Sequence, residues 1–386
     1  MKMLDGLDSI PWSTLEHAYG DAGDIPGIIR TLVSGDPDQR EWAQDMLDMG
    51  PFHQESLYSC TPFVVRVLLQ IMQEADTADP SWILRYVSRV LAAAIWYLPF
   101  PQPLTPDPEQ IYAAQILVEV RAQRPLLLSM LQHPDSHVRL ALLRLLVLLK
   151  ADLPHVQGIL AGRLSVESDE TLRAALVFCL SLVMDEGSLA LVQRILEETT
   201  ESLMVRVAAG FGLIAAMKER IADKALAAFC EVVAHHFGAL DRFEDLYAEY
   251  LTPLGAPPEK DRLLECLLHR WSPDQRGQIV QTLLRIYAQL PTHPEFGVRI
   301  GSGYYLEAMV RLAFPDGTLS PETTVRDLSD IQRRVLEAFQ QCDMPSIKWN
   351  VYSSSDYRWL LGFDFRSESD FLDFMSGERS ARHATQ

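Results

Sequence analysis

Apolar residues recur every three or four positions along almost the whole chain, and no series of alternating apolar and polar positions stands between turn signals. The pattern predicts an all-α fold. It is broken at Ser34-Gly35-Asp36-Pro37, at Asp79-Pro80, along the proline-rich stretch from Pro99 to Pro108, and at His133-Pro134-Asp135 and Glu167-Ser168-Asp169. Further breaks stand at Leu254 to Pro258, Pro291 to Pro294 and Pro315 to Pro321. Each break supplies an N-cap residue or a proline where a helix would begin. The segments between them are mostly about 12 to 18 residues long, an ordinary helix length.

Aligning the segments exposes a repeat. His133-Pro-Asp-Ser-His-Val-Arg139, Ser168-Asp-Glu-Thr-Leu-Arg173 and Glu201-Ser-Leu-Met-Val-Arg206 follow one another with their arginines 34 and 33 residues apart. Four residues before each Arg stands Asp135, Asp169 or Ser202; one before stands Val138, Leu172 or Val205; two after stands Ala141, Ala175 or Ala208. Weaker copies occur at Asp36/Arg40, Ser81/Arg85 and Glu295/Val298/Arg299/Gly301. An acid at the helix start caps free N–H groups, Val and Ala form the apolar stripe, and Arg one turn in can reach the Asp of a neighbouring repeat.

This spacing resembles the HEAT repeat, a two-helix unit whose second helix opens with an Asp-x-x-Val-Arg-like pattern. The resemblance spans 24–314 and is clearest over 124–236. It implies an α-α superhelix, a HEAT-like α-solenoid, in which Asp135, Arg139, Asp169, Arg173 and Arg206 form a structural ladder between repeats. The expected organisation is N-terminal capping helices over 1–60, repeats over 61–314, a C-terminal helical cap over 315–375 and a flexible tail over 376–386. Stacked repeats would bury one continuous core. Residues 1–60 also resemble the start of a group of bacterial HEAT-repeat proteins, through Trp12-Ser13, His17-Ala18-Tyr19-Gly20, Asp24-Ile25-Pro26 and His53-Gln54 followed by Tyr58. That group brings no settled activity with it.

Composition narrows the function. The chain of 386 residues has 34 Lys and Arg against 52 Asp and Glu, a net charge of −18, with 48 % hydrophobic residues. Such a chain can bury enough apolar surface to offset its ordering entropy, which excludes disorder as its main state. The acidic balance argues against non-specific nucleic-acid binding. Only six of the basic residues are Lys, and the arginines recur at regular places, which points to structural pairing. Cys60, Cys179, Cys230, Cys266 and Cys342 are odd in number and far apart, and read as reduced core residues of a cytoplasmic protein. Met1 to Pro11 has no apolar run of signal-peptide length, and the apolar stretch from Val90 to Phe100 is too short to span a bilayer.

Enzymatic signatures find no context. Gly210-Phe-Gly212-Leu-Ile-Ala215 matches a dinucleotide fingerprint in letters, and Gly301-Ser-Gly303 has the same start, but both sit within predicted helices just after a repeat Arg, where small residues permit close packing. Neither a phosphate-binding Gly-x-x-x-x-Gly-Lys loop nor a Gly-x-Ser-x-Gly elbow occurs. His133 and His137 flank Pro134, and His235 and His236 are adjacent, so either pair would need ligands from other repeats to hold a metal. The His-Glu dipeptides of the HEAT-like deoxyhypusine hydroxylase are absent. No cofactor is expected. A HEAT-like DNA glycosylase is the main enzymatic alternative: Trp42, Trp82, Trp96 and Tyr97 supply aromatics, but no basic face accompanies them. A HEAT-type chromophore lyase is a further alternative that no residue singles out.

Binding signals are stronger. Asp38, Glu41, Asp45 and Asp48 recur at helical spacing, within fifty N-terminal residues that hold ten acids and three bases. The run Tyr357-Arg-Trp359-Leu-Leu-Gly-Phe363-Asp-Phe365, continued by Phe371-Leu-Asp-Phe374-Met375, interleaves aromatics and carboxylates. It can cap an open end of the stack or dock on a partner. His53, Gln54 and Tyr58 share one stretch between predicted helices and are read as turn-fixing residues. The sequence reading is therefore a non-enzymatic interaction module whose inner surface, built from 135–149, 169–184 and 202–218, holds a protein or peptide of basic surface. A regulator or immunity protein is a special case. Oligomeric state stays open, and no membrane contact is expected.

Overall fold

The computed structural model describes residues 4, 6–34, 36–73, 79–98, 107–150, 155–251, 267, 271–290, 302–315, 320, 322–340 and 368–378. The breaks from Pro99 to Pro106, Leu254 to Pro258 and Pro291 to Pro294, the repeat copy from Glu295 to Gly301, Cys266, Cys342, the run from Tyr357 to Phe365 and the tail after Glu378 lie outside them. The chain forms two compact units, Met1–Val183 with Ala248–Glu259, and Met184–Tyr247 with Lys260–Gln386. Among the described residues the fold is all α, built solenoid-like from successive packed helices, apart from one short hairpin.

The first unit opens with 3-10 turns at Leu7–Ser9 and Trp12–Thr14 and an antiparallel hairpin, β1 (Glu16–His17) and β2 (Gly20–Asp21), in which Glu16 faces Asp21 and His17 faces Gly20. Two residues per strand are too few for an alternating pattern, so the hairpin carries no signal in the sequence. Among the described residues nine α-helices follow: α1 (Ile25–Leu32), α2 (Pro37–Met49), α3 (Thr61–Ile71), α4 (Pro80–Tyr97), α5 (Pro108–Ala122), α6 (Arg124–Ser129), α7 (Ser136–Leu148), α8 (Val156–Val166) and α9 (Glu170–Val183).

Their starts follow local chemistry. Asp36, Asp79, Asp107 and Asp135 accept backbone N–H groups at the starts of α2, α4, α5 and α7, and proline occupies the first turn of α2, α4 and α5. Helix α1 packs on α2, α3 on α5, α4 on both α5 and α7, and α9 on α7 and α8. Val64, Leu68 and Leu69 of α3, Ile83, Leu84 and Leu91 of α4 and Leu142, Leu145 and Leu146 of α7 are fully buried. Each such side chain stabilises the unit by roughly 1.5–3 kcal/mol.

The second unit contains α10 (Glu186–Glu197), α11 (Leu203–Met217), α12 (Asp223–His235), α13 (Phe237–Leu246), α14 (Pro273–Gln289), α15 (Ser302–Ala313), α16 (Asp330–Gln340) and α17 (Glu368–Ser376). Helix α11 packs on α10, α12 and α13; α12, α14, α15 and α16 then follow in contact order. Phe211 meets Phe229 edge-on at 4.8 Å and stacks on Phe243 at 6.1 Å. Phe371 and Phe374 of α17 are buried, and the helix packs on the 3-10 turn Val325–Asp327. No helix among the described residues is long and apolar enough to cross a membrane.

Candidate functional site

Helix α2 rests on Ala43 and Leu47, both fully buried, and turns Asp38, Glu41, Trp42, Asp45 and Met49 outward. Trp42 is 49 % exposed and Met49 46 %. Large apolar side chains thus stand in water between carboxylates, on a helix held firmly by its opposite face. Asp48 differs from the other three acids of the expected face. Its carboxylate accepts from both terminal nitrogens of Arg89 on α4, at 2.6 and 3.3 Å. Burial pushes its carboxyl up in pKa against the pull of Arg89. Asp48 borders the buried stripe beside Leu47, which brings it within reach of α4. The outward acids are therefore Asp38, Glu41 and Asp45.

The N-terminal residues that stand far apart in sequence meet around the hairpin. Trp12 is buried and donates from Nε1 to Leu7 O at 2.8 Å. His17 Nδ1 accepts the Tyr19 N–H at 3.1 Å, which assigns the ring proton to Nε2, 3.1 Å from Asp24 Oδ1. Both nitrogens are thereby engaged, and His17 positions the hairpin rather than offering a free base. Tyr19, at the tip, is 64 % exposed, and its ring lies 5.6 Å from that of His53. Gln54 and Glu55 both adopt left-handed backbone conformations, φ 48° and 65°. Such positions cost about 1–2 kcal/mol each for residues with a side chain.

Hydrogen bonds tie the residues after this turn to β1 and to the start of α3. The Glu16 N–H donates to Ser59 Oγ at 2.7 Å, the Cys60 N–H to Glu16 O at 3.3 Å, and the Tyr58 N–H to Thr61 Oγ1 at 2.9 Å. The Cys60 thiol is pushed up to about 12, by burial first and by the charge of Asp24. Cys179 is also buried and lies at about 12, and Cys230 at about 11.

The repeat residues make contacts close to their own helix starts. Asp135, Asp169 and Ser202 turn back on their own helices, accepting from the N–H groups of His137, Leu172 and Val205. The arginines reach backwards to carbonyls of the preceding segment: Arg139 to His133 O and Pro134 O, Arg173 to Leu164 O and Glu167 O, Arg206 to Leu196 O. Arg40 does the same with Ser34 O, and Arg333, four residues after Ser329, with Leu328 O. A guanidinium at carbonyls closing the preceding segment satisfies acceptors that helix geometry leaves open.

Glu167 lies 3.6 Å from Arg139 of the preceding repeat and is also bound by Arg163. Burial alone would raise its pKa, but Arg163, the Asp169 N–H and the charge of Arg139 together hold it below the ordinary value. The Ser81/Arg85 copy is out of register. Asp79 caps α4, and Arg85 lies over the Tyr250 ring at 5.9 Å.

The helices expected to line an inner surface correspond to α7, α9 and α11, and they expose almost nothing. No residue of α9 or α11 is exposed, and α7 exposes His137 alone. Their sequences are apolar on all sides, and such helices belong in a core. Tyr250, in the same unit as α7, is buried with its hydroxyl 2.8 Å from His137 Nδ1. His133 instead accepts the Asp135 N–H, so the two histidines serve separate contacts. Gly210 lies inside α11, where an added Cβ would fall 2.1 Å from the Phe229 ring, a packing role. Trp82 is buried against Tyr86 at 5.2 Å, whereas Trp96 is 73 % exposed.

No family model matches the chain, and no curated protein matches it. Among solved structures it is similar to Uso1-2, at 13 % identity and a TM-score of 0.34, over 83 % of this chain and 50 % of that one. The chain thus spans half the length of the Uso1-2 chain. It is also similar to an engineered protein from the Northeast Structural Genomics Consortium, at 14 % identity and a TM-score of 0.26, over 83 % and 88 % of the two chains.

Proposed function

We propose that the protein is a non-enzymatic interaction module of the HEAT-like helical-repeat kind, which holds a cytoplasmic protein or peptide of basic surface on the exposed face of α2. The observation that carries this reading is the placement of Trp42 and Met49, about half exposed, among Asp38, Glu41 and Asp45. Interfaces concentrate their energy in an aromatic anchor surrounded by polar groups, and acidic groups select and steer a basic partner. The recurrence of capped helix starts with backward-reaching arginines supports the repeat kinship, and the buried free thiols of Cys60, Cys179 and Cys230 suit a reducing compartment. Regulation or immunity by blocking one partner is a special case of the same binding.

The test is capture of a partner from the native lysate, with nuclease treatment, by the wild-type chain and by a Trp42→Ala/Asp45→Lys variant of unchanged melting temperature. The expected result is a specific protein that survives nuclease, is lost on the variant, and binds wild type directly after purification. Recovery of nucleic acid alone, or equal recovery on both baits, overturns the reading.

A further inference from the structure

We propose that a half-open cleft between α12 and α14, in the second unit, binds a free α-amino acid, with Arg285 taking the ligand's carboxylate and Glu231 its ammonium group. The site does not depend on the α2 face and goes beyond the interaction reading.

The two helices run parallel and are braced near both ends. Gln275 Nε2 donates to Asp223 Oδ1 at 3.0 Å where they start, and Gln289 Nε2 donates to Ala234 O at 2.8 Å where they finish. Between the braces, over about 16 Å of helix, the helices enclose a cleft of about 250 Å³. Helical spacing aligns its lining: Glu231 and His235 stand four residues apart on α12, and Gln278, Gln281 and Arg285 recur at three and four on α14. Buried Cys230 and Thr282 form the floor, where the Thr282 hydroxyl donates to Gln278 O at 2.9 Å. The charge of Arg285 acts on the Cys230 thiol, which places the guanidinium over that floor.

The polar groups that line this cleft are uncommitted. Among the described residues none of Glu231, His235, Gln281 and Arg285 has a side-chain hydrogen bond or ion pair. Elsewhere in the chain a carboxylate and a cation on neighbouring helices close on one another: Arg66 with Glu119, Arg89 with Asp48 and, on α12 itself, Lys224 with Glu197 of α10 at 2.6 Å. Glu231 and Arg285 line one cleft from facing helices without meeting.

A ligand that spans them has to carry an anion and a cation. A dicarboxylate would set a like charge against Glu231, and a diamine against Arg285; an α-amino acid offers one matched group to each. Its carboxylate suits the fork of a guanidinium. The amides of Gln278 and Gln281 both donate and accept, and remain for the polar atoms of the ligand's side chain. The volume lies just under the range of roughly 300–1,000 Å³ that holds drug-sized molecules, which suits a smaller one.

The probes are the protein-forming L-α-amino acids, each added singly to the full chain and followed by thermal melting, with calorimetric titration of those that stabilise it. At least one is expected to raise the melting temperature and to bind. Arg285→Gln and Glu231→Gln change exposed positions, and melting without ligand checks that each variant folds as wild type does. Each should weaken binding about tenfold, the scale of a lost charge-assisted hydrogen bond. The α-carboxamide of the bound amino acid should bind wild type about as weakly as the free acid binds Arg285→Gln, and should lose little more on that variant. Absence of binding by every amino acid overturns the site, as does binding that survives both substitutions. Equal binding of succinate or putrescine, which carry only one of the two charges, also overturns it. Each of these failures leaves the α2 reading standing.

Discussion

Arg139 on α7 and Glu167, on the connection into α9, face each other at 3.6 Å, and Arg163 of α8 closes on the same carboxylate. The distance to Arg139 is that of an ion pair rather than a hydrogen bond. Glu167 also accepts the N–H groups of Ser168 and Asp169, so one side chain joins three elements of the first unit. Its side chain is 4 % exposed, against 12 % and 16 % for the two arginines. Removing the carboxylate strands two poorly hydrated cations, and Glu167→Ala should cost about 3 kcal/mol of stability. Glu167→Gln, which keeps one acceptor, should cost about half of that.

The same residue predicts a pH dependence. Because the Glu167 pKa is lower in the fold than its ordinary 4.5, its stabilising contribution is complete above that value and disappears as pH falls through the folded pKa. Urea unfolding at a series of pH values should show wild type and Glu167→Gln converging as the solution is acidified below 4.5. A stability difference that stays constant down to strongly acidic pH would refute the assignment.

Gly210 is predicted to resist replacement despite lying in a helix, where alanine is normally better by about 1 kcal/mol. The new methyl group would meet Phe229 Cδ2 at 2.1 Å and Cγ at 2.8 Å, too close for the ring to remain in place. Gly210→Ala should therefore destabilise the second unit by about 2 kcal/mol net. Phe229→Leu in the same chain should return part of that loss, a coupling that a double-mutant cycle in urea measures directly.

The boundary between what was legible in sequence and what was not falls where contacts become long-range. Asp36, Asp79 and Asp135 announce their helices because a cap acts over two or three residues. The all-α class follows equally from the helical period. The arginines of the repeat were visible as a pattern, but their acceptors are carbonyl oxygens, which every residue carries and no letter marks. Asp48 belongs to the acidic series by spacing and leaves it by structure, because Arg89 stands 41 residues away in the chain. The pairing of Tyr19 with His53 depends on a hairpin of two-residue strands, below the length at which alternation can be read. Helices α7, α9 and α11 were legible as helices, yet their apolar residues on every side already argued for a core rather than a surface.

Tyr250 offers a test of how far its contact with α7 depends on one side chain. Its hydroxyl meets His137 Nδ1 at 2.8 Å, its ring carries Arg85 at 5.9 Å, and the residue is 5 % exposed. Tyr250→Phe loses only the hydroxyl contact, to an exposed histidine that water can solvate, and should cost about 1 kcal/mol. Tyr250→Ala also empties the ring's place and should cost about 3 kcal/mol or more. Urea unfolding distinguishes the two; equal losses would mean that the hydroxyl, not the ring, holds Tyr250 on α7.

The exposed face of α2 predicts that its charges and its aromatic act on different rate constants. Asp38, Glu41 and Asp45 stand in solvent and act at a distance, so neutralising them as Asn, Gln and Asn should mainly slow association with the captured partner. Raising salt from about 0.05 to about 0.5 M should have the same effect on wild type, because the screening length shortens severalfold. Trp42 acts only on contact, so Trp42→Ala should mainly speed dissociation. Asp48→Asn should leave both rates within about twofold of wild type, since its carboxylate is already paired with Arg89. Surface plasmon resonance on the purified pair reads all four. Binding that is indifferent to salt, with Trp42→Ala alone impaired, would leave an apolar interface and remove the basic surface from the description of the partner.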